Sequence, residues 1–277
     1  MKYFKILLKF TFFTSYLLTQ ESIGEWDAFT SPLNVRDVIY KDIIYAATEG
    51  GLLIIDNHKQ EVLTTIDGLE GVDISSIEMD HESNLWLWGS YPTGFIQIFN
   101  PFTINSVDIF DFGLTNIIDI IILDSLAFVL FDEGQDFGIL KFEFDKKWEY
   151  RDSFKNFPSE VEYIGNFVAK SSEILIGTNT GIYMGYTGDN LKDPSSWFLL
   201  NDEINYEITS MSFNGDNLLY SSRSHIYDYN YNLQILDTLD LFNQYSNISF
   251  FHAKNDSLLI VNEGNLFFKE GAKEDLR

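Results

Sequence analysis

Short apolar runs separated by polar turns fill the chain from residue 35 onward. In the stretch Asn84–Phe99, an apolar run (Leu85–Trp88) leads to a short polar turn, after which Gly94 opens a second apolar run. The runs hold many β-branched and aromatic residues, and no stretch after residue 22 has a convincing helical period of 3.6 residues. The pattern therefore predicts an all-β protein.

One position repeats at a near-constant spacing and defines six units. It begins the third apolar strand of each unit and is filled by Gly51, Gly94, Gly138, Gly181, His225 and Gly264. Successive members lie 43, 44, 43, 44 and 39 residues apart. Two apolar strands precede each member and a more polar strand follows it, and four antiparallel strands in about 40 to 45 residues is the period of a β-propeller blade. We predict six four-stranded blades, with glycine where the hairpin needs a positive φ or a close backbone approach.

The two ends of the chain each hold an incomplete unit. Ile23–Thr30 resembles a fourth strand but precedes the first unit, whereas the unit that starts near Ile248 has only three strands. An N-terminal strand that completes the last blade would close the ring and leave no unpaired sheet edge at the seam. We predict a single propeller domain over residues 23–277 that is closed in this way. A seven-bladed ring, or a longer protein of which this is a part, is the alternative.

The first 22 residues have the pattern of a secretory signal peptide. Lys2, Lys5 and Lys9 come before or at the start of an apolar run, Phe10–Leu18, and the first 20 residues include no acid. A basic start followed by a short apolar run is typical of a signal peptide, and the run is too short for a confident membrane span. We predict export, with an uncleaved anchor and a buried first strand as alternatives.

Composition limits the classes of partner. Aromatic residues make up 16% of the chain, far more than in a disordered protein. The 42 acidic and 18 basic residues give a formal net charge of −24, which repels phosphate backbones and anionic lipid headgroups. Nucleic acid is therefore not an expected partner, and the membrane is one only through the signal or anchor segment. The chain contains no cysteine, which excludes disulfides, thiolate metal sites and cysteine nucleophiles.

Several of the units resemble a known repeat. Ile74–Gly89, which follows Asp67-Gly68-Leu69, resembles the two-component regulator propeller repeat, and Ile174–Thr178 is a second match. Ile23–Phe29 and Ile44–Asp56 are similar to the first blade of PorZ-like proteins, which are surface propellers linked to type IX secretion. The resemblance implies a periplasmic or surface protein that senses or scaffolds. The repeat motif itself is structural and assigns no ligand.

Familiar catalytic and metal-binding motifs are missing from the sequence. Its four histidines match no metal spacing, and it lacks serine-nucleophile motifs, phosphate-binding glycine loops and a D-x-D-x-D-G calcium loop. We interpret the acidic clusters Asp80–Glu82, Asp132–Asp136 and Asn214–Asn217 as turn caps. We predict a protein that is not an enzyme and holds no cofactor, with calcium at one of these turns as a weak alternative. Trp86 and Trp88 share one face of a strand and are predicted to fill the core rather than to form a sugar-stacking platform.

Loops that depart from the repeat are the candidate binding surface. The residues singled out in them are Tyr91, Thr93, Gln135, Asp136, Asp189, Asn190 and Trp197. The excursion Gly188–Trp197 in the fourth unit is the largest departure. We predict a non-enzymatic propeller that binds a protein or glycan at the bacterial cell envelope (periplasmic, on the outer-membrane surface or extracellular), in association with type IX secretion. The alternatives are the extracellular sensor of a hybrid two-component regulator and, third, a propeller glycosidase or lyase.

Overall fold

The computed structural model describes residues 30–57, 59–89, 94–222, 225–230, 235–238, 248–254, 257–262 and 265–270. Within these ranges the regular structure is 23 β-strands and two short 3₁₀ helices, Thr65–Asp67 and Pro194–Ser196. The prediction of an all-β protein is confirmed. The predicted signal peptide, the predicted closing strand up to residue 29, and the loop residues Tyr91 and Thr93 lie outside the described residues.

The strands form six sheets in chain order. The first contains β1 (Val35–Lys41), β2 (Ile43–Thr48), β3 (Gly51–Asp56) and β4 (Lys59–Leu63). The second contains β5 (Ser76–Met79), β6 (Leu85–Gly89), β7 (Phe95–Asn100) and β8 (Asn105–Phe110). The third contains β9 (Ile117–Leu123), β10 (Leu126–Asp132), β11 (Phe137–Phe144) and β12 (Trp148–Phe154).

The remaining three sheets follow the same order. The fourth contains β13 (Ile164–Lys170), β14 (Glu173–Thr178), β15 (Gly181–Tyr186) and β16 (Phe198–Leu199). The fifth contains β17 (Ser210–Asn214), β18 (Asn217–Ser222), β19 (His225–Asn230) and β20 (Ile235–Thr238). The sixth has three described strands, β21 (Ile248–Lys254), β22 (Ser257–Asn262) and β23 (Asn265–Glu270).

Successive sheets meet along their first strands. Within each sheet every strand pairs antiparallel with its neighbours in the chain. Between sheets, β1 contacts β5, β5 contacts β9, β9 contacts β13, β13 contacts β17 and β17 contacts β21. We call these first strands the inner strands and the fourth strand of each sheet its outer strand. The predicted four-stranded unit is confirmed in five sheets.

The repeated glycine is required by a close approach of two backbone segments. A Cβ at Gly94 would lie well inside van der Waals contact of the Leu114 carbonyl oxygen, and one at Gly51 would clash with the Leu63 carbonyl oxygen in the same way. Gly51 also has a φ of 126°, a conformation that other residues rarely adopt. Both reasons that the sequence suggested for this glycine therefore apply, and steric exclusion acts at each of these two positions.

Aromatic side chains fill the spaces between neighbouring sheets. Trp86 and Trp88 are buried in the core between the second and third sheets, so the prediction that they pack in the interior is confirmed. The Trp86 ring meets the Trp148 ring edge to face at 5.1 Å, and the Trp148 Nε1–H donates to the buried Asp80 carboxylate at 2.9 Å. The same carboxylate accepts the backbone N–H of Asn84 at 2.9 Å. Asp80 is therefore a turn cap, as predicted.

Candidate functional site

The loop between β10 and β11 exposes two of the residues predicted to bind a partner. Gln135 and Asp136 are exposed, and the Asp136 carboxylate forms an ion pair with Lys155 at 2.8 Å. The loop is held in place by Glu133, whose carboxylate accepts the backbone N–H of Asn116 at 2.9 Å. Asp136 is therefore an exposed group with one cationic neighbour on a well-anchored loop.

The excursion in the fourth sheet is an anchored loop with an apolar underside. Asp189 and Asn190 are exposed on it, as a binding loop requires. Trp197, in contrast, is 4% exposed; its Nε1–H donates to the Leu191 carbonyl at 3.1 Å, and its ring lies 5.2 Å from the Phe157 ring. The prediction that Trp197 is a surface binding residue is corrected by this placement, because its ring fills the core under the loop.

These two loops do not form one surface. In an antiparallel four-stranded sheet, the turn between strands two and three lies at one end, and the turns between strands one and two and between three and four lie at the other. Gln135 and Asp136 lie in a turn of the first kind, whereas Asp189 and Asn190 lie in a connection of the second kind. The Thr187 N–H at the start of that connection donates to a carbonyl in the β13–β14 turn, that of Ser172, at 2.8 Å. Two separate candidate surfaces result.

A row of carboxylates on the inner strands was not singled out from the sequence. Asp37, Glu78 and Asp119 lie on the inner strands of the first three sheets. The Asp37 carboxylate accepts the backbone N–H of Ile77 at 3.1 Å and the Ser76 hydroxyl, so it links the first sheet to the second. The signal that could have found this row is the single acid within each apolar first strand.

Burial and mutual repulsion raise the pKa values of two carboxyl groups in this row. The pKa of Asp119 is raised to about 7, mainly by burial, which the Ile120 N–H opposes and to which the charges of Asp37 and Glu78 add. Burial also raises the pKa of Glu78, and Asp37 adds to that rise. The row can therefore hold a proton near neutral pH. In the described ranges no three His, Cys, Asp or Glu side chains converge as metal ligands.

Acidic side chains also cap the edges of the sheets. A carboxylate on an edge strand accepts the backbone N–H of the next residue at 2.8 to 2.9 Å in Asp37–Val38, Glu78–Met79, Asp108–Ile109, Asp119–Ile120, Asp152–Ser153 and Asp237–Thr238. All six pairs lie on inner or outer strands. Unpaired edge N–H groups invite the addition of a foreign strand, and a charged residue on the edge opposes it. The bonds protect the edges at these positions.

Comparison with solved structures identifies the architecture. PorZ of Porphyromonas gingivalis, described as an essential bacterial surface component of the type IX secretion system, matches with a TM-score of 0.68 and 14% identity, over 91% of this chain and 33% of PorZ. The fold is that of a β-propeller. The extracellular domain of the putative hybrid two-component system BT4673 from B. thetaiotaomicron matches with a TM-score of 0.66 and 12% identity, over 91% of this chain and 34% of that one.

The likeness concerns the fold and not the sequence. The AfRom2 CNH domain also matches, with a TM-score of 0.64 and 12% identity over 91% of this chain and 85% of that domain. No protein-family model and no curated protein matches the sequence. The chain spans about a third of the length of PorZ and of the BT4673 domain. The resemblance to PorZ-like and two-component propellers is therefore confirmed at the level of the fold.

No helix in the described part of the chain is both long enough and apolar enough to cross a bilayer.

Proposed function

We propose that this protein is an exported, non-enzymatic β-propeller that binds a protein or glycan partner at the bacterial cell envelope. The observation that carries the proposal is that buried polar side chains form hydrogen bonds to the backbone of the protein itself. Buried Gln97 donates to the Gly68 carbonyl at 2.8 Å and accepts the Glu70 N–H at 2.9 Å, and buried Thr48 donates to the Gly51 carbonyl at 2.7 Å. Such groups join strands and sheets, which fits a scaffold whose variation lies on its surface.

Export is supported by two independent features. The first residues carry the basic and apolar pattern of a signal peptide. The described fold is shared with a protein named as a bacterial surface component, PorZ, and with a domain named as extracellular, that of BT4673. Association with type IX secretion comes into the proposal through PorZ alone.

A closed ring of six blades is part of the proposal. Val38 and Tyr40 of β1 are exposed, although Ile39, between them, packs in the core between the first two sheets. A closed ring would cover that exposed face with the sixth sheet, and residues 23–29 would supply a fourth strand beside the three that are described in that sheet.

Ring closure can be tested by truncation. A chain that starts at residue 21 is compared with one that starts at residue 30 by thermal unfolding. Since loss of a closing strand removes several kcal/mol of burial and 1 kcal/mol corresponds to about 2 to 4 °C for a domain of this size, we expect the shorter chain to melt at least about 5 °C lower. Equal melting temperatures would exclude closure by this segment.

The binding role can be tested in the source bacterium. The tagged protein is cross-linked in living cells, and its location is determined by protease treatment of intact cells. We expect an envelope location and the recovery of the same partner at several salt and calcium concentrations. A cytoplasmic location, or a cross-linked sample identical to that from a strain with an untagged protein, would refute the proposal.

The extracellular sensor of a hybrid two-component regulator is the second candidate. The match to the BT4673 domain favours it, because that domain belongs to such a system and is about three times as long as the matched region. The genomic reading frame distinguishes the two. A frame that continues into a membrane span and a kinase supports the sensor, and a stop codon directly after residue 277 supports the separate scaffold.

A further inference from the structure

The outer strand of the second blade differs from the outer strands beside it. Glu61 in β4, Ile109 in β8 and Asp152 in β12 hold equivalent positions, since each pairs with the third residue after the repeated glycine of its own sheet. The position is charged in the first and third blades and apolar in the second. β8 and β12 also each contain a β-bulge, and the extra residue is Val107 in β8 but Arg151 in β12.

The exposed apolar character continues on both sides of β8. Five large apolar residues in one eleven-residue stretch are exposed, by 67, 44, 52, 42 and 37% respectively: Phe102, Ile104, Val107, Ile109 and Phe112. We call these five residues the apolar rim. An isolated exposed apolar residue is ordinary in a soluble protein, whereas five within eleven residues are a concentration that favours an interaction surface.

The hairpin that precedes β8 is also unusual. Ile104 has a φ of 50°, although a β-branched residue is strained in the left-handed region. In the shorter β3–β4 hairpin of the first blade, the left-handed residue is Asn57, with a φ of 53°, and asparagine tolerates that conformation well. The second blade thus carries an exposed isoleucine where a polar residue would fold with less strain.

The centre of β8 is closed to strand addition, so recognition of this surface would use side chains. The Ile109 N–H is already bonded to the Asp108 carboxylate at 2.9 Å, so the edge of β8 is blocked at its centre. The Phe112 ring is held 5.1 Å from the Tyr150 ring and 5.8 Å from the buried Phe142 ring. An anchored, half-exposed aromatic ring loses little conformational entropy when it is covered.

The negative charge around the apolar rim favours one class of binding partner over the others. Residues 100–113 include Asp108 and Asp111 and no Lys, Arg or His, within a chain of net charge −24. A second copy of the chain would bring a further −24 charges, and an anionic lipid surface would be repelled in the same way. A partner segment with basic residues beside its apolar residues gains attraction from the same field.

We propose that the apolar rim docks a segment of a partner protein in which aromatic or aliphatic residues are flanked by Lys or Arg. The proposal rests on the binding role given above and names its surface and the chemistry of its partner. The apolar side chains of the segment cover Val107, Ile109 and Phe112, and its cationic groups meet Asp108 and Asp111.

The test uses a displayed library of random twelve-residue peptides, selected on the full-length protein at 150 mM salt. We expect the selected peptides to be enriched in both basic and large apolar residues. The Val107→Thr/Ile109→Thr double variant keeps β-branched residues in the strand, and we expect it to bind these peptides at least 10-fold more weakly. Phe198→Thr, which removes an exposed apolar residue of another outer strand, β16, is the matched control and should change binding less than 2-fold.

The electrostatic part of the proposal is tested by Asp111→Asn, which should weaken binding about 3-fold and reduce the dependence of binding on salt.

Each other outcome refutes the proposal in a distinct way. Peptides that bind the double variant as well as the unchanged protein place the binding surface elsewhere, and the scaffold role then stands. Peptides without basic residues refute the partner chemistry. Dimers in sedimentation that disappear in the double variant assign the rim to a second copy, and retention on vesicles of anionic lipid assigns it to a membrane. Failure to select any peptide refutes the rim as a peptide site, while cross-linking in cells tests the scaffold role independently.

Discussion

Strands β6 and β7 of the second blade are buried along almost their whole length, whereas β8, the outer strand of the same blade, exposes every second residue. The equivalent hairpin of the fourth blade, β14 and β15, is also buried apart from Glu173, Met184 and Tyr186. Outer strands are not alike: exposed positions in β4 are Lys59, Gln60 and Glu61, and in β8 they include Val107 and Ile109.

The comparison separates the part of the sequence that specifies a blade from the part that distinguishes one blade from another. A strand covered by sheets on both sides has little freedom in volume or polarity, because interiors are densely packed. A solvated outer strand accepts charged, polar or apolar residues at small cost in stability. Differences between blades at buried positions therefore report on packing, and differences at outer positions can report on partners.

The largest effect is expected at the repeated glycine. In Gly94→Ala the new methyl group meets the Leu114 carbonyl oxygen, so either the start of β7 or the connection between β8 and β9 would have to move. We expect a loss of more than about 4 kcal/mol, seen as little or no folded protein in the soluble fraction. Gly188→Ala is the control, since no atom lies within 4 Å of a Cβ there, and should be within about 0.5 kcal/mol of the unchanged protein. Equal behaviour of the two variants would contradict the steric role of the repeat.

The second largest loss of stability is expected when a buried tryptophan is removed. Trp88→Ala leaves a large cavity between the second and third sheets, and we expect a loss of about 3 to 5 kcal/mol in urea unfolding. Phe102→Ala removes an aromatic ring of the exposed hairpin in the same blade, and its cost should be below about 0.5 kcal/mol. Similar losses of stability in the two variants would contradict the claim that buried positions tolerate substitution less well than exposed ones.

A buried carboxylate on an inner strand should make the stability of the protein depend on pH. Asp119 has a pKa of about 7 against an ordinary 3.8, so the folded state binds a proton that the unfolded state releases between about pH 4 and 7. Its contribution to stability is present below pH 4 and is lost as the pH rises through 7. We expect Asp119→Asn, which stays neutral, to be on the order of 2 kcal/mol more stable than the unchanged protein at pH 8 and equal to it at pH 4.

Urea unfolding at both pH values measures this difference. Asp189→Asn, in an exposed loop, is the control for the loss of one negative charge. An Asp119→Asn effect of the same size at pH 4 and pH 8 would show that folding does not raise the pKa of this carboxyl.

The smallest effect is expected on the apolar rim. In Val107→Thr/Ile109→Thr both changes lie at exposed positions of an outer strand, and both keep a β-branched side chain. We expect a change in stability below about 0.5 kcal/mol, measured by thermal unfolding. A loss above about 2 kcal/mol would mean that these residues pack within the protein, and the rim would then be part of the core.

The repeat was predictable because its cause is local. Gly51 and Gly94 stand at the start of a third strand where another backbone segment passes within contact distance, so most blades place a glycine there, with His225 as the exception, and the spacing appears directly in the chain. The Trp86 and Trp88 pair was assigned to the core correctly, since alternation along a strand places both on one face. The error at Trp197 arose because a departure from the repeat was taken as a surface loop, whereas Leu191 and Phe157 form an apolar site beneath it.

The functional surfaces were less predictable. Asp37, Glu78 and Asp119 are about 40 residues apart in the chain, and they interact only because the inner strands of three blades lie side by side. The loops of Gln135 and Asp189 were both predicted to belong to the binding surface, yet antiparallel pairing places them at opposite ends of the sheets.

The sequence alone determined the strand pattern, the period of the blade, the glycine that recurs at the start of most third strands and the burial of the paired tryptophans. All four are visible as periodic patterns of residue type along the chain, because each blade repeats the same local arrangement. Only the tertiary structure decided which carboxylates interact across blades and which apolar residues remain exposed. Those properties depend on distance and solvent access between segments far apart in the chain, and the packing of one blade against the next determines both.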